Sequence, residues 1–405
     1  MENVELADLD GEVRLFLTAG APGRSGLARD PYPFLEALRT RGPVHRVSAD
    51  TWLATGHDAA DELLRGTGWL RETPGADTFT LAERVFRRSI PFRDPPDHTR
   101  LRKAVAPMFG ARAMARLEQQ VVLRVEELFA EAREREVFDF RDLAYRLPVL
   151  VIGDVLGLPP DDVTRFDTWA ETLLHLGDVQ VGGASAELLA TADEAARSAM
   201  SYFDEVIAER RRAPGDDVVS YLVRPESGLT PEEVVGSCVI LHIGGHATTT
   251  DALTNGMFRL LEHPEQYAAL RADPGLATSA AEEFLRYDPP VFVSLPRFAE
   301  RPRTLAGHRI EEGERVHVVF GAVNRDPARF ADPARFDLRR PVGHMAFAAG
   351  IHFCVGAALA RLEMRIALDA LARLPELAPA GSLHDVVWAD SFLHRGTTAL
   401  PVRWA

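Results

Sequence analysis

Cys354 is the most reactive group the chain offers. It stands in Phe347-Ala-Ala-Gly-Ile-His-Phe-Cys354-Val-Gly356, where an irregular stretch ends and an alanine- and leucine-rich helical run opens. A thiol just before a helix N-terminus meets the positive end of the macrodipole and unpaired backbone N–H groups, and both favour the thiolate. Gly350 and Gly356 let the backbone approach something flat and bulky on either side of the sulfur. Position alone leaves two roles open, a thiolate with chemistry to perform or a small buried hydrophobe. A second cluster is His242-Ile-Gly-Gly-His-Ala-Thr-Thr-Thr-Asp251, inside a long apolar helical run that two adjacent glycines should weaken. His242 and His246 stand four apart, as metal ligands on a helix would, but no HExxH and no third ligand accompany them.

Most of the elements that must hold these groups are helical. Apolar residues recur three and four apart over 118–137, 186–212 and 231–263, and the last run starts with Thr230 as N-cap, Pro231 in the first turn and two acids. Alternating β-branched and aromatic residues predict strands in 45–55, 304–321 and 398–405. The expectation is a mainly α fold with a minor β component and no linker or repeat to divide it. Residues 322–353 carry little periodicity, and about thirty irregular residues inside a compact domain point to binding.

Composition narrows the function further. A chain of 405 residues, 46% hydrophobic and 26% charged, has the make-up of a soluble globular protein with a large core. Its formal charge of −14 argues against nucleic acid, which needs a strong basic face. The start MENVELADLDGEVRLFL is acidic where a secretory signal is basic, and no apolar run approaches the roughly 18 residues of a membrane helix, so a cytoplasmic protein without membrane contact is expected. Two cysteines, Cys238 and Cys354, are too few for a disulfide framework, a four-cysteine zinc site or an iron–sulfur cluster.

The stretch around Cys354 resembles the haem-binding loop of the cytochrome P-450 superfamily, Phe-Gly-x-Gly-x-His-x-Cys-x-Gly. Phe347, Gly350, His352, Cys354 and Gly356 match in register, while Ala348 replaces the first glycine and predicts slight crowding. Glu283-Phe-Leu-Arg286 is similar to the family's Glu-x-x-Arg helix, and Arg340 in Phe336-Asp-Leu-Arg-Arg340 falls where an arginine completes that buried charge network. Asn324-Arg-Asp-Pro327, Phe330 and Asp332-Pro333 resemble the approach to the haem loop. His98 and Arg102, in Asp94-Pro-Pro-Asp-His98-Thr-Arg-Leu-Arg102, match the positions that bind haem propionates, as do Arg297 and His352. In the central helix Gly244 and Gly245 match the small residues that loosen the helix and leave space for dioxygen, and Thr248 matches the alcohol that organises proton delivery. Ala247 stands where the family has an acid, so Asp251, one turn on, is a candidate to relay protons through a water.

The resemblance implies a single cytochrome P-450 domain over 1–405. Haem b (iron protoporphyrin IX) would lie non-covalently between the long central helix and the cysteine-loop helix, with Cys354 as the axial ligand. It implies a monooxygenase that activates dioxygen to hydroxylate or epoxidise a small organic substrate, in specialised metabolism such as antibiotic biosynthesis. The chain has no G-x-G-x-x-G and no iron–sulfur cysteines, so electrons must come from outside. In bacterial-type members the source is a ferredoxin and ferredoxin reductase, for which Arg100, Lys103, Arg112 and Arg361 would form a docking patch. Substrate contacts are expected at Phe79, Leu81, Phe86 and Ile90, at Leu173 to Val181, at Leu241, at Val291 to Leu295 including Val293, and at Phe392. Four arginines at 84, 87, 88 and 93 are either a solvated loop or a seat for an anionic or carrier-tethered substrate. The missing acid keeps an alternative open, oxidative cyclisation or coupling without oxygen insertion; a haem-binding module with little turnover is the remote one.

Overall fold

The computed structural model describes residues 11, 13, 16–17, 25–72, 80–159, 162, 169, 186–341 and 343–405. Its principal helices are α1 (Tyr32–Thr40), α2 (His57–Arg65), α3 (Asp97–Val105), α4 (Ala111–Arg133), α5 (Phe140–Leu156), α6 (Ala186–Arg212), α7 (Pro231–Glu262), α8 (Ala277–Tyr287) and α9 (Ala357–Arg373). The strands are β1 (Val44–Arg46), β2 (Thr51–Ala54), β3 (Trp69–Leu70), β4 (Val137–Asp139), β5 (Arg297–Ala299), β6 (Arg303–Leu305), β7 (His308–Ile310), β8 (Arg315–Val318), β9 (Leu377–Pro379) and β10 (Pro401–Trp404).

The expected helices at 186–212 and 231–263 appear as α6 and α7, and Thr230 caps α7 in a full capping box. Its hydroxyl accepts from Glu233 N–H at 3.3 Å, and the Glu233 carboxylate accepts from Thr230 N–H at 2.9 Å. The run at 118–137 belongs to α4, which ends at Arg133; Val137–Asp139 pairs with β10 instead. One sheet has the order β1-β2-β8-β5-β3, with β2 and β8 parallel and its other neighbours antiparallel. β4-β10-β9 form a second sheet, and β6 and β7 a two-stranded ribbon.

α7 lies along α5, and α9 packs against both α8 and α4. Gly256 makes the junction of α7 with α8, since a Cβ there would fall 1.6 Å from the Phe284 ring. A separate apolar cluster of Phe16, Phe34, Leu53, Phe292, Val293 and Phe392 ties the first sheet to the chain's C-terminal part. The irregular segment before Cys354 holds together through buried polar bonds, among them Met345 N–H to Asn324 Oδ1 at 2.7 Å. No helix among the described residues is long and apolar enough to cross a membrane.

Candidate functional site: a cysteine loop facing a threonine-bearing helix

Cys354 is accessible, on a loop that its own backbone closes: its N–H donates to the Phe347 carbonyl at 3.0 Å. α9 starts at Ala357 with Gly356 as N-cap, so the cysteine precedes the helix and does not open it. Surrounding protein pushes the thiol pKa up, against the backbone N–H groups of Gly356 and Ala357 and the charges of Arg102 and Arg361, which lower it. The backbone N–H groups at the helix start favour the thiolate as expected, and burial outweighs them. Deprotonation would accompany metal binding. Phe347 supports the loop from beneath, with the Arg361 guanidinium 4.5 Å from its ring centroid.

Two backbone conformations shape this loop. Gly350 has φ 69°, and a Cβ there would lie 2.3 Å from the Leu64 carbonyl oxygen of α2, so its demand for glycine comes from α2. Gly356 faces no such wall, its nearest neighbour being Cys354 Sγ at 4.0 Å. Ala348 sits at φ 57°, so the departure from the family's glycine costs left-handed strain of about 1–2 kcal/mol. Ala348→Gly is expected to raise unfolding stability by about 1 kcal/mol. A urea midpoint no higher than the parent's would contradict this.

A basic cluster lies beside the loop. The rings of His98 and His352 are 4.4 Å apart, and the nitrogens of both, with Arg297 Nε, are buried without a hydrogen-bond partner beyond a weak approach of His98 to the Ile351 backbone. Burial, with neighbouring cations, pushes both imidazole pKa values down. Burial likewise pulls Arg297 down to about 10. Arg102 donates to the Phe353 carbonyl at 2.8 Å, next to Cys354. The structure thus assembles all four residues from three distant segments. It adds Arg71, which sequence reasoning missed: its guanidinium donates to the carbonyls of Leu295 and Pro296 at 2.8 and 2.9 Å, while its Nε is buried without a partner.

The middle of α7 is largely buried, but Gly244 is exposed and Ile240, Gly245, Ala247 and Thr248 are partly so. The helix stays α-helical across the glycines, so the expected loosening is absent. The hydroxyls of Thr248, Thr249 and Thr250 donate to carbonyls one turn back, at 3.0, 3.4 and 3.0 Å, so the side chains cap their own helix. The glycines do different work. A Cβ on Gly244 would meet nothing within 4 Å, whereas one on Gly245 would press to 2.9 Å from Ile152 of α5. Gly244 leaves the open space, and Gly245 is a packing contact. His246 Nδ1 lies 2.8 Å from the His242 carbonyl, and the described residues contain no cluster of three metal-ligating side chains, so the histidine pair is core. Asp251 is buried, and one of its oxygens is paired with Arg141 at 2.6 Å.

Behind the loop, Arg286 makes a two-pronged bond to Glu283 at 2.6 and 2.8 Å, with side chains only 2% and 1% exposed. Arg340 joins Glu283 at 3.4 Å and donates to the carbonyls of Ala331, Asp332 and Arg335. Neighbouring Glu282 is held at a pKa of about 2: burial would raise it, but His344 and Arg361 overcome that.

Several expected contacts are corrected. Val293 and Phe392 are fully buried in the aromatic cluster, and Ile90 and Leu241 keep only 6% and 8% exposure, so they back the cleft more than line it. Phe86 and Val291 are partly accessible. Phe79 and Leu173 to Val181 lie outside the described residues. In the expected docking patch Arg100 is bound to Glu233 and Asp97, and Arg361 to Glu282; Lys103 and Arg112 stay exposed.

The residues present fit a haem. An accessible thiol stands beside the cluster, and buried unpaired donors stand where two carboxylates would satisfy them. Comparison with known proteins agrees. Residues 275–377, spanning α8 to β9, match the family model for cytochrome P-450. The cytochrome P-450 monooxygenase PikC of Streptomyces venezuelae is 40% identical over 96% of this chain and 94% of its own. The 6-deoxyerythronolide B hydroxylase of Saccharopolyspora erythraea is 34% identical over 89% and 92%. A crystal structure of P450BioI in complex with hexadec-9Z-enoic acid ligated acyl carrier protein superposes with a TM-score of 0.88, at 32% identity over 94% of this chain and all of that one. A mainly helical chain with this cysteine loop and near-full-length relatives belongs to the cytochrome P-450 family, and it is a monooxygenase.

Proposed function

We propose that the chain, as one domain over 1–405, holds haem b non-covalently with Cys354 as axial ligand and hydroxylates or epoxidises a small organic substrate of specialised metabolism. Electrons come from an external ferredoxin and its reductase, with Lys103 and Arg112 as the exposed cations left for docking. The observation that carries this reading is the accessible strip of Gly244, Ala247 and Thr248 in the middle of a largely buried helix, in a chain whose accessible cysteine neighbours a cluster of unsatisfied donors.

A haem with a thiolate ligand supplies dioxygen activation able to oxidise unactivated C–H bonds. The protein's own part is positioning and proton supply. His98, Arg102, Arg297 and His352 would hold the propionates, Gly244 leaves open space on α7, and the Glu283–Arg286–Arg340 network keeps the loop in place. The Thr248 hydroxyl donates a hydrogen bond to the Gly244 carbonyl at 3.0 Å, which leaves its oxygen free to accept one. Residue 247 is alanine and Asp251 is paired with Arg141, and no carboxylate among the described residues is bonded to that hydroxyl. Solvent reaching the partly exposed face delivers protons instead.

Thr248→Ala, supplied with redox partners and substrate, is expected to keep consuming electrons while product per electron falls on the order of tenfold or more. Unchanged coupling would remove Thr248 from proton delivery. The absent acid supports the second reading, oxidative ring closure or coupling. Labelled dioxygen separates the two, since a coupling enzyme leaves no label in its product. Arg84 and Arg88 are exposed and suit an anionic or carrier-tethered substrate, and the similar P450BioI is seen in complex with an acyl carrier protein. A carrier thioester oxidised no faster than the free acid would argue for a free substrate.

A further inference from the structure

The haem-side cluster holds more positive charge than the four residues of the family motifs account for. Arg71, Arg102 and Arg297 are three guanidiniums, and Asp94 is the carboxylate whose charge bears on this group. Asp94 does not neutralise Arg71 by direct contact: its oxygens accept the backbone N–H groups of Arg71 at 3.1 and 2.8 Å and of Glu72 at 3.0 Å. Three guanidiniums against one carboxylate leave two positive charges, the number that two propionates neutralise. Without Arg71 the cluster would be one charge short.

Geometry points the same way. Arg71 follows β3, which pairs with β5, the strand that carries Arg297, so the sheet brings the two arginines side by side. Carbonyls of Leu295 and Pro296 anchor one end of the Arg71 fork. The Nε–H remains buried and without a partner, beside an Arg297 Nε in the same condition. The charge of Arg71 also lies close enough to reach the His352 ring. Arg297 is buried and Arg71 partly so, and two neighbouring guanidiniums whose Nε–H groups are both buried without partners are costly unless an anion joins them.

We propose that Arg71 is a fifth propionate-binding residue, whose Nε–H and charge complete the site formed by His98, Arg102, Arg297 and His352. The inference rests on the haem assignment above and goes beyond it, because no motif marks Arg71. It assigns the segment just before 73–79 a direct hold on the haem edge.

The experiment measures ferric haem leaving the holoenzyme for excess apomyoglobin, with native haem and with haem whose propionates are methyl esters. For Arg71→Ala we expect loss of native haem to quicken about tenfold or more, the effect of removing a hydrogen bond to a charged group. With the dimethyl ester, parent and variant should differ little. Arg71→Lys keeps the charge without the fork and should fall between them for native haem. An Arg71→Ala rate equal to the parent's, or the same acceleration with the ester, overturns the inference and leaves Arg71 a strut between β3 and the 295–296 turn. If Arg71→Ala does not fold, the ester comparison on Arg71→Lys decides by the same ratio. The reduced carbon monoxide spectrum separates the two levels. A parent without the red-shifted thiolate band fails the haem–thiolate reading itself, whereas a normal band with ester-independent rates fails only Arg71.

Discussion

Cys354→Ser is expected to fold, to bind haem weakly if at all, and to lose the red-shifted band of the reduced carbon monoxide complex together with all product formation above background. Folding should survive because the loop is held by its backbone: Cys354 N–H bonds the Phe347 carbonyl, and Gly350 fits against the α2 terminus whatever side chain stands at 354. Chemistry should not survive, because an alcohol stays protonated where a thiol gives up its proton to a metal, and a neutral ligand does not push electron density toward O–O cleavage. Cys238→Ser is the control. Cys238 is wholly buried on α7, and burial raises its pKa to about 12, so it is an inert packing group. Its exchange should leave the band in place, at some cost in stability for a buried hydroxyl. A Cys354→Ser protein that kept the thiolate band would refute the ligand assignment outright.

The same loop shows why some of the site is legible in sequence and some is not. Cys354, His352 and Gly350 lie within five residues, and Glu283 and Arg286 one helical turn apart, so local spacing carries their relation. The Thr230 cap is equally local. Arg71 is different: its neighbours Trp69-Leu70 and Glu72 carry no signal, and its meaning comes from pairing with a strand more than two hundred residues away. Asp251 read as a free acid because Arg141, its partner, lies on another helix. Gly244 and Gly245 look interchangeable in sequence, yet a helix turns about 100° per residue, which points one at the cleft and the other at Ile152. Val293 and Phe392 sit at positions suited to substrate, but the aromatic cluster of Phe16, Phe34 and Phe292 closes over them. A backbone angle such as Ala348's is invisible to any count of matching residues.

Arg286→Ala is expected to be the most damaging single change outside the haem site, destabilising by about 3–5 kcal/mol. Both partners are essentially inaccessible, so the exchange leaves the Glu283 carboxylate buried, with Arg340 at 3.4 Å and the Asp337 N–H at 2.9 Å as its remaining contacts. It also frees the carbonyls of Asn324 and Pro333, which Arg286 holds at 3.0 Å each, and takes from the Arg335 carbonyl one of its two donors, leaving Arg340. Those carbonyls belong to the irregular segment that leads to the cysteine loop, so one guanidinium ties α8 to a stretch with little regular structure of its own. Arg286→Lys should rescue little, because an ammonium reproduces the charge but not a fork reaching the Glu283 carboxylate and three carbonyls at once. Soluble yield, thermal midpoint and the fraction of protein showing the thiolate band should fall together. What separates a positioning role from a catalytic one is turnover per bound haem. For the folded fraction of Arg286→Ala or Glu283→Gln it should match the parent, because neither side chain touches the open face of the site. A variant with a parental melting point but depressed turnover per haem would put this pair in the chemistry, and the buried network would need a different explanation.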